Sequence, residues 1–142
     1  MNIQYKEKLD GCRASKNMDE VISILQKQSL PICIDDIYTQ IKKKNTSVSL
    51  STIYRIVEKL INHNIVRKTT ILDNNKALYE LVKDEHQHYM ICVKCKKMIP
   101  IDICPIEEFK KHIAGETGFN ITGHKFELYG ECETCSPKST GK

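Results

Sequence analysis

The sequence predicts an α+β protein built from two unlike parts, and three observations carry that expectation. Apolar residues in the first half recur at helical spacing in three short runs. Two strand-like runs around a turn signal then follow. In the second half, strand-like runs flank a single helix and are bracketed by two Cys-x-x-Cys pairs. A chain of 142 residues accommodates one compact unit or two small ones. Hydrophobic residues at 40% and charged residues at 28% argue against disorder, and 6% aromatics with no Trp argues against a large aromatic cofactor box.

Met18, Val21, Ile22 and Leu25 stand at i, i+3, i+4 and i+7, which predicts a first helix. Asn17 is its expected N-cap, with Glu20 completing a capping box. The helix should end before Leu30 and Pro31, because proline disfavours helical geometry in the preceding residue. A second helix is expected from Asp35 or Asp36, with Ile37 and Ile41 inward. It should close at Lys42, Lys43 and Lys44, where cations suit the C-terminal dipole. After the polar turn Asn45–Ser47, Ser49 or Ser51 can cap a third helix. Its apolar stripe is Ile53, Ile56, Val57 and Leu60, and its other face shows Thr52, Tyr54, Arg55, Glu58 and Lys59. Ile65–Thr70 and Ala77–Leu81 then read as strands around Asp73, Asn74 and Asn75. Three short helices and a hairpin form a winged helix-turn-helix outline over residues 1–80.

Val82–Glu85 is a charged hinge, so the boundary is expected within 81–85 and the second part over 86–136. There, Tyr89–Val93 and Met98–Ile101 read as strands around a Cys-bearing turn. A helix after Pro105 should turn Ile106, Phe109 and Ile113 inward and stop at Gly118. Asn120–Tyr129 reads as the last strand, and 137–142 as a polar tail.

The net charge of +4 lies entirely in the first half; residues 81–142 carry 9 bases and 9 acids. Lys42–Lys68 alone holds seven bases and one acid. A local basic surface of this kind suits a polyanion such as nucleic acid. The first residues lack a secretory hydrophobic segment, and no apolar run nears the ~20 residues of a membrane span. The expectation is a cytoplasmic chain without membrane contact. In a reducing compartment its seven Cys are metal ligands or redox groups more often than disulfides.

Cys92 with Cys95 and Cys132 with Cys135 form two pairs whose tight turns can converge four sulfurs on one ion. A tetrahedral S4 shell favours structural Zn2+, and four protein ligands leave no open position for a catalytic water. The 36 residues between the pairs exceed the usual zinc-finger interval, but a strand–helix–strand excursion fills that gap. Surface dithiols or disulfides are the bland alternative. Cys12, Cys33 and Cys104 are isolated and read as small buried apolar residues.

Ser49–Val57, the His86-x-His88-x3-Cys92-x2-Cys95 run and the Gly123-His124-x4-Tyr129-Gly130-x-Cys132-x2-Cys135 run together resemble the ferric uptake regulator family over roughly residues 12–135. The resemblance implies an N-terminal winged-helix DNA-binding domain, a C-terminal α/β dimerisation domain, and structural zinc on the four Cys. It also implies metal-controlled repression by a homodimer on a palindromic operator. The family's hinge metal site takes two His before the first Cys and one from the first domain. Here those places hold Gln87, Tyr89 and the neighbourhood of Leu30–Ile32, and only Glu80 remains. The resemblance therefore implies that the hinge site, with its peroxide-sensing iron chemistry, is absent in its usual form.

The family's site in the dimerisation domain falls on His86, His88, Glu107 and His124, with His88 standing where many members have Asp. The residues by themselves agree in part. His86 and His88 alternate by two, so on an extended segment they point the same way, and Glu107 and His124 sit on other elements that can reach them. Three imidazoles and a carboxylate suit Zn2+ first, with Fe2+, Mn2+ and Ni2+ as alternatives. In the third helix, Ser51, Thr52, Tyr54 and Arg55 are the expected contacts in a DNA major groove. Lys42–Lys44, Lys59, Arg67 and Lys68 are expected to attract the phosphate backbone. Competing expectations are a DNA-binding regulator with structural zinc only, one that senses oxidation or peroxide, and, more distantly, a Cys-x-x-Cys thiol oxidoreductase. No catalytic residue is assigned.

Overall fold

A computed structural model describes residues 3–13, 15–70, 76–83 and 87–137. The chain divides into two compact units, Met1–Asp84 and Glu85–Lys142.

The first unit begins with α1, Ile3–Lys8, which no periodic signal announces; it is one short turn-and-a-half ahead of the first long apolar repeat. Tyr5 and Leu9 nevertheless bury against the core. α2 spans Lys16–Gln26 and buries Met18, Val21, Ile22, Ile24 and Leu25. Its N-cap is Ser15, whose hydroxyl accepts from the Met18 N–H at 3.2 Å, rather than Asn17. The capping-box expectation fails by two residues: Asn17 lies in the first turn and its Oδ1 accepts from Asn45 Nδ2, while Glu20 pairs with Lys44. α3, Ile34–Lys42, follows an N-cap at Cys33, with Asp35 and Asp36 in its first turn.

α4 spans Leu50–Asn62 and buries the expected Ile53, Ile56, Val57 and Leu60. Ser49 caps it, accepting from the Thr52 N–H at 3.3 Å. Its C-terminus closes as a Schellman turn: Asn64, at φ 54°, donates to Ile61 O and Ile65 donates to Leu60 O. That turn feeds the chain straight into β1, Val66–Thr70, which pairs antiparallel with β2, Ala77–Leu81. The expected turn residues Asp73, Asn74 and Asn75 lie outside the described residues. Helices and hairpin enclose one core in which Val21, Ile37, Ile53, Leu60 and Ile65 are all but sealed from solvent.

The second unit is a three-stranded sheet in the order β4–β3–β5, with β3 at His88–Cys92, β4 at Met98–Ile101 and β5 at Glu127–Gly130. β3 runs antiparallel to β4 and parallel to β5. α5, Glu107–Thr117, supplies the crossover that a parallel pair requires, ending at Gly118 in the left-handed conformation. Two expectations are corrected here. The last strand covers only four residues, because 120–126 approach the sheet without pairing. α5 buries none of its residues in the single chain: Ile106 and Ile113 are half-buried and Phe109 is 62% exposed. Periodicity reports an apolar stripe, not what covers it.

Candidate metal centres and nucleic-acid interface

The α4 face opposite its buried stripe presents Ser51, Tyr54 and Arg55 to solvent, with Thr52 and Lys59 half-buried. Ser51 and Thr52 hydroxyls both lie within hydrogen-bond range of Ser49 Oγ, so the start of the helix is tied into one hydroxyl cluster. A cleft beside this face is lined by Tyr54, Lys68, Lys76 and Tyr79, together with the start of α3. Burial, then the neighbouring Tyr54 and Glu58, push the Tyr79 hydroxyl above the usual tyrosine range.

The cations expected to serve phosphates are not equivalent. Arg67 reaches across the hairpin to Glu80, bonding Oε1 through Nε at 3.2 Å and Nη2 at 2.6 Å. Lys42 donates to Val48 O and stacks over the Tyr38 ring, and Lys44 pairs with Glu20. Lys68 is exposed. Of the residues at the family's hinge positions, Glu80 thus faces Arg67, and Tyr89 donates its hydroxyl to Gln87 Oε1 at 3.1 Å.

The two Cys-x-x-Cys turns arrive at the same end of the sheet because β3 and β5 are parallel with Cys92 opposite Gly130. Val93 N–H donates to Gly130 O at 2.8 Å and locks the two turns together. The first turn closes through Lys96, at φ 64°, whose N–H reaches Cys92 O. All four sulfurs lie within 4.8 Å of one another, with Cys95 to Cys132 at 3.6 Å. Four thiolates around one zinc at ~2.3 Å define edges of about 3.8 Å. Both the donor set and the spacing therefore fit Zn2+.

The thiols differ electrically. Hydrogen bonds from the Cys95 and then the Cys132 backbone N–H hold Cys92 down to about 6, and the Cys135 N–H lowers Cys132. The neighbouring Cys132 and Cys95 sulfurs push Cys135 up to about 12. Without a cation, four adjacent sulfurs cannot all ionise; a divalent ion removes that conflict. Lys94 pairs with Glu131 at 3.1 Å and its Nζ also donates to Cys135 O at 3.4 Å, beside the thiols.

At the other end of β3, roughly 13 Å away by strand rise, lies a second donor cluster. His88 is 4% exposed. Its Nε2 is 3.1 Å from His124 Nε2 and 3.3 Å from Cys104 Sγ, and that sulfur is 3.3 Å from His124 Nε2. His88 Nδ1 lies 3.2 Å from Phe126 O, so the ring donates there and turns its Nε2 lone pair into the cluster. Phe126 also packs edge-on against the His88 ring. The structure thus brings His88 and His124 together and adds Cys104, a residue whose isolation in the sequence reads as a small buried apolar side chain. Glu107 begins α5 three residues later, with Oε1 3.6 Å from Lys110 and Oε2 closed off from solvent. His86 lies outside the described residues. The one sequence signal for Cys104 was its place beside Pro105, which holds the preceding residue extended at the mouth of α5.

The sequence model of the ferric uptake regulator family matches residues 9–129. The ferric uptake regulation protein of Neisseria meningitidis is 30% identical over 104 residues, covering 73% of this chain and 72% of that protein. That of Campylobacter upsaliensis is 30% identical over 134 residues, covering 93% and 85%. Among solved structures, the Helicobacter pylori ferric uptake regulator, described as having three functional metal binding sites, superposes with a TM-score of 0.79. It is 24% identical and covers 96% of this chain and 91% of that one.

Proposed function

The chain belongs to the ferric uptake regulator family, and from that premise we propose how this metal-responsive DNA-binding transcriptional regulator works. The first unit reads DNA, the second pairs two copies of the chain, and the two donor clusters have different duties. Zn2+ on Cys92, Cys95, Cys132 and Cys135 is structural. A regulatory divalent ion is held by His88 and His124, with His86 and Glu107 completing the set. One observation carries this reading: His88 and His124 converge in a cluster separate from the four thiols. A second metal position is what distinguishes a switchable regulator from a protein with structural zinc alone.

Each residue's duty follows from its surroundings. Tyr54 and Arg55, exposed on α4, meet base edges in the major groove, with Ser51 and Thr52 at the helix start beside them. Lys59 and Lys68 face phosphates, and Arg67 contributes less because Glu80 already holds it. In the second unit Phe109, Phe119, Leu128 and Tyr129 are apolar or aromatic and exposed. Burying such side chains against a second copy stabilises a homodimer and presents two reading helices to a palindromic operator. When bound, the regulatory ion supplies a cross-link between the start of β3 and the segment entering β5. Repression follows the metal only by the difference in its affinity for DNA-competent and incompetent arrangements.

The test uses DNA fragments selected from a random pool by the metal-loaded protein. His88→Ala with His124→Ala should keep one zinc per chain and the dimer, while metal-stimulated DNA binding disappears. Unchanged metal dependence in that variant would refute the regulatory assignment.

A further inference from the structure

We propose that Cys104 is a ligand of the regulatory ion, and that its thiolate makes this site select Zn2+ over Mn2+. The inference rests on the reading above that His88 and His124 hold a regulatory metal.

Three distances carry it. Nε2 to Nε2 is 3.1 Å, and Cys104 Sγ stands 3.3 Å from each nitrogen. A tetrahedral zinc with Zn–N near ~2.05 Å and Zn–S near ~2.3 Å has edges of about 3.3 Å between nitrogens and about 3.6 Å from nitrogen to sulfur. The triangle is within a few tenths of an ångström of one face of that tetrahedron.

His88 Nδ1 lies 3.2 Å from Phe126 O, which can only accept, so the ring donates there and its Nε2 lone pair faces the cluster. One cation can take that lone pair together with His124 Nε2 and the Cys104 sulfur. The site is also built: His88 is buried within the sheet, Cys104 and His124 are half-buried, and they come from β3, the turn before α5 and the approach to β5.

The donor set decides the metal. Thiolate and imidazole suit Zn2+, whereas Mn2+ prefers carboxylate and water. Two imidazoles and one sulfur make up the grouped donors, and neither kind is one that Mn2+ favours. Proton balance is simple: binding converts the Cys104 thiol to thiolate and releases one proton to solvent.

The test uses Co2+ as a spectroscopic probe on the full chain carrying one zinc on its four-Cys site, with retained zinc measured after loading. Cobalt at the second site should show tetrahedral d–d bands together with a near-ultraviolet thiolate-to-cobalt charge-transfer absorption. Cys104→Ser should keep the bound cobalt and lose the charge-transfer absorption. Its preference for zinc over manganese, read by competition, should fall by on the order of tenfold to a hundredfold. Cobalt bound without charge transfer, charge transfer that persists in Cys104→Ser, or an unchanged zinc-to-manganese preference would overturn the thiolate ligand while leaving the metal site standing. No cobalt bound beyond the retained zinc would overturn both this inference and the regulatory site itself.

Discussion

Arg67 and Glu80 face each other across the β1–β2 ladder and are joined by two hydrogen bonds to a single carboxylate oxygen. The Glu80 side chain is nearly buried, at 10% exposure, while the Arg67 side chain is 44% exposed. This pairing engages a cation expected on the DNA backbone and an acid expected at the hinge. Arg67→Met should destabilise the first unit by about 1 kcal/mol, a value limited by solvent screening of the exposed partner. Denaturant unfolding with zinc retained measures it. In operator binding, the slope of log affinity against log salt should drop by about 1 for Lys68→Ala and stay nearly constant for Arg67→Met.

The α4 surface gives a second expectation. Arg55→Ala should weaken binding to a selected operator by about 1–3 kcal/mol and relax base preference at one position. Helix content should be unchanged, since Arg55 lies opposite the buried stripe. Equal losses on all sequences would place Arg55 on phosphates instead.

The thiol cluster should show ordered reactivity. In the reduced, zinc-free chain, alkylation at Cys92 should rise with a midpoint near pH 6, while Cys135, near 12, stays protonated at pH 8. The sign follows from linkage. Cys92 sits below its usual value of 9.0, so its contribution to stability is present above pH 9 and is lost as pH falls through about 6. Zinc should protect all four thiols, and peptide mapping after brief iodoacetamide treatment reads the order.

Lys96 holds a left-handed backbone conformation in the first Cys-x-x-Cys turn. Lys96→Gly should relieve about 1 kcal/mol of that strain, tightening structural zinc by roughly fivefold in chelator competition. A weaker zinc would show that the Lys96 side chain, whose Nζ reaches Val93 O at 2.9 Å, matters more than its backbone.

The exposed stripe of α5 should matter for assembly. Phe109→Glu should leave the monomer's fold and zinc intact, because the side chain is 62% exposed in the single chain, and should shift sedimentation toward the monomer. A dimer of unchanged strength would move the pairing surface elsewhere.

Much of this molecule was legible in one dimension. The α4 stripe, the strand pair around 66–81 and the two Cys-x-x-Cys pairs depend on local spacing, and local spacing is what periodicity and turn chemistry encode. The misses share a different cause. Ser15 rather than Asn17 caps α2 because the choice depends on which hydroxyl or amide has a competing partner, and Asn45, 28 residues away, takes Asn17. Phe109 has the right period for burial yet stays 62% exposed in the single chain.

The sequence by itself determined the order of elements, the apolar faces and the two Cys-x-x-Cys pairs, because each is written in spacings of two to four residues. Only the tertiary structure decided that Arg67 is held by Glu80 and that Cys104 meets His88 and His124. Those meetings join residues 13, 16 and 20 positions apart. They are set by strand register and by where the crossover helix begins, and no periodicity along the chain records either.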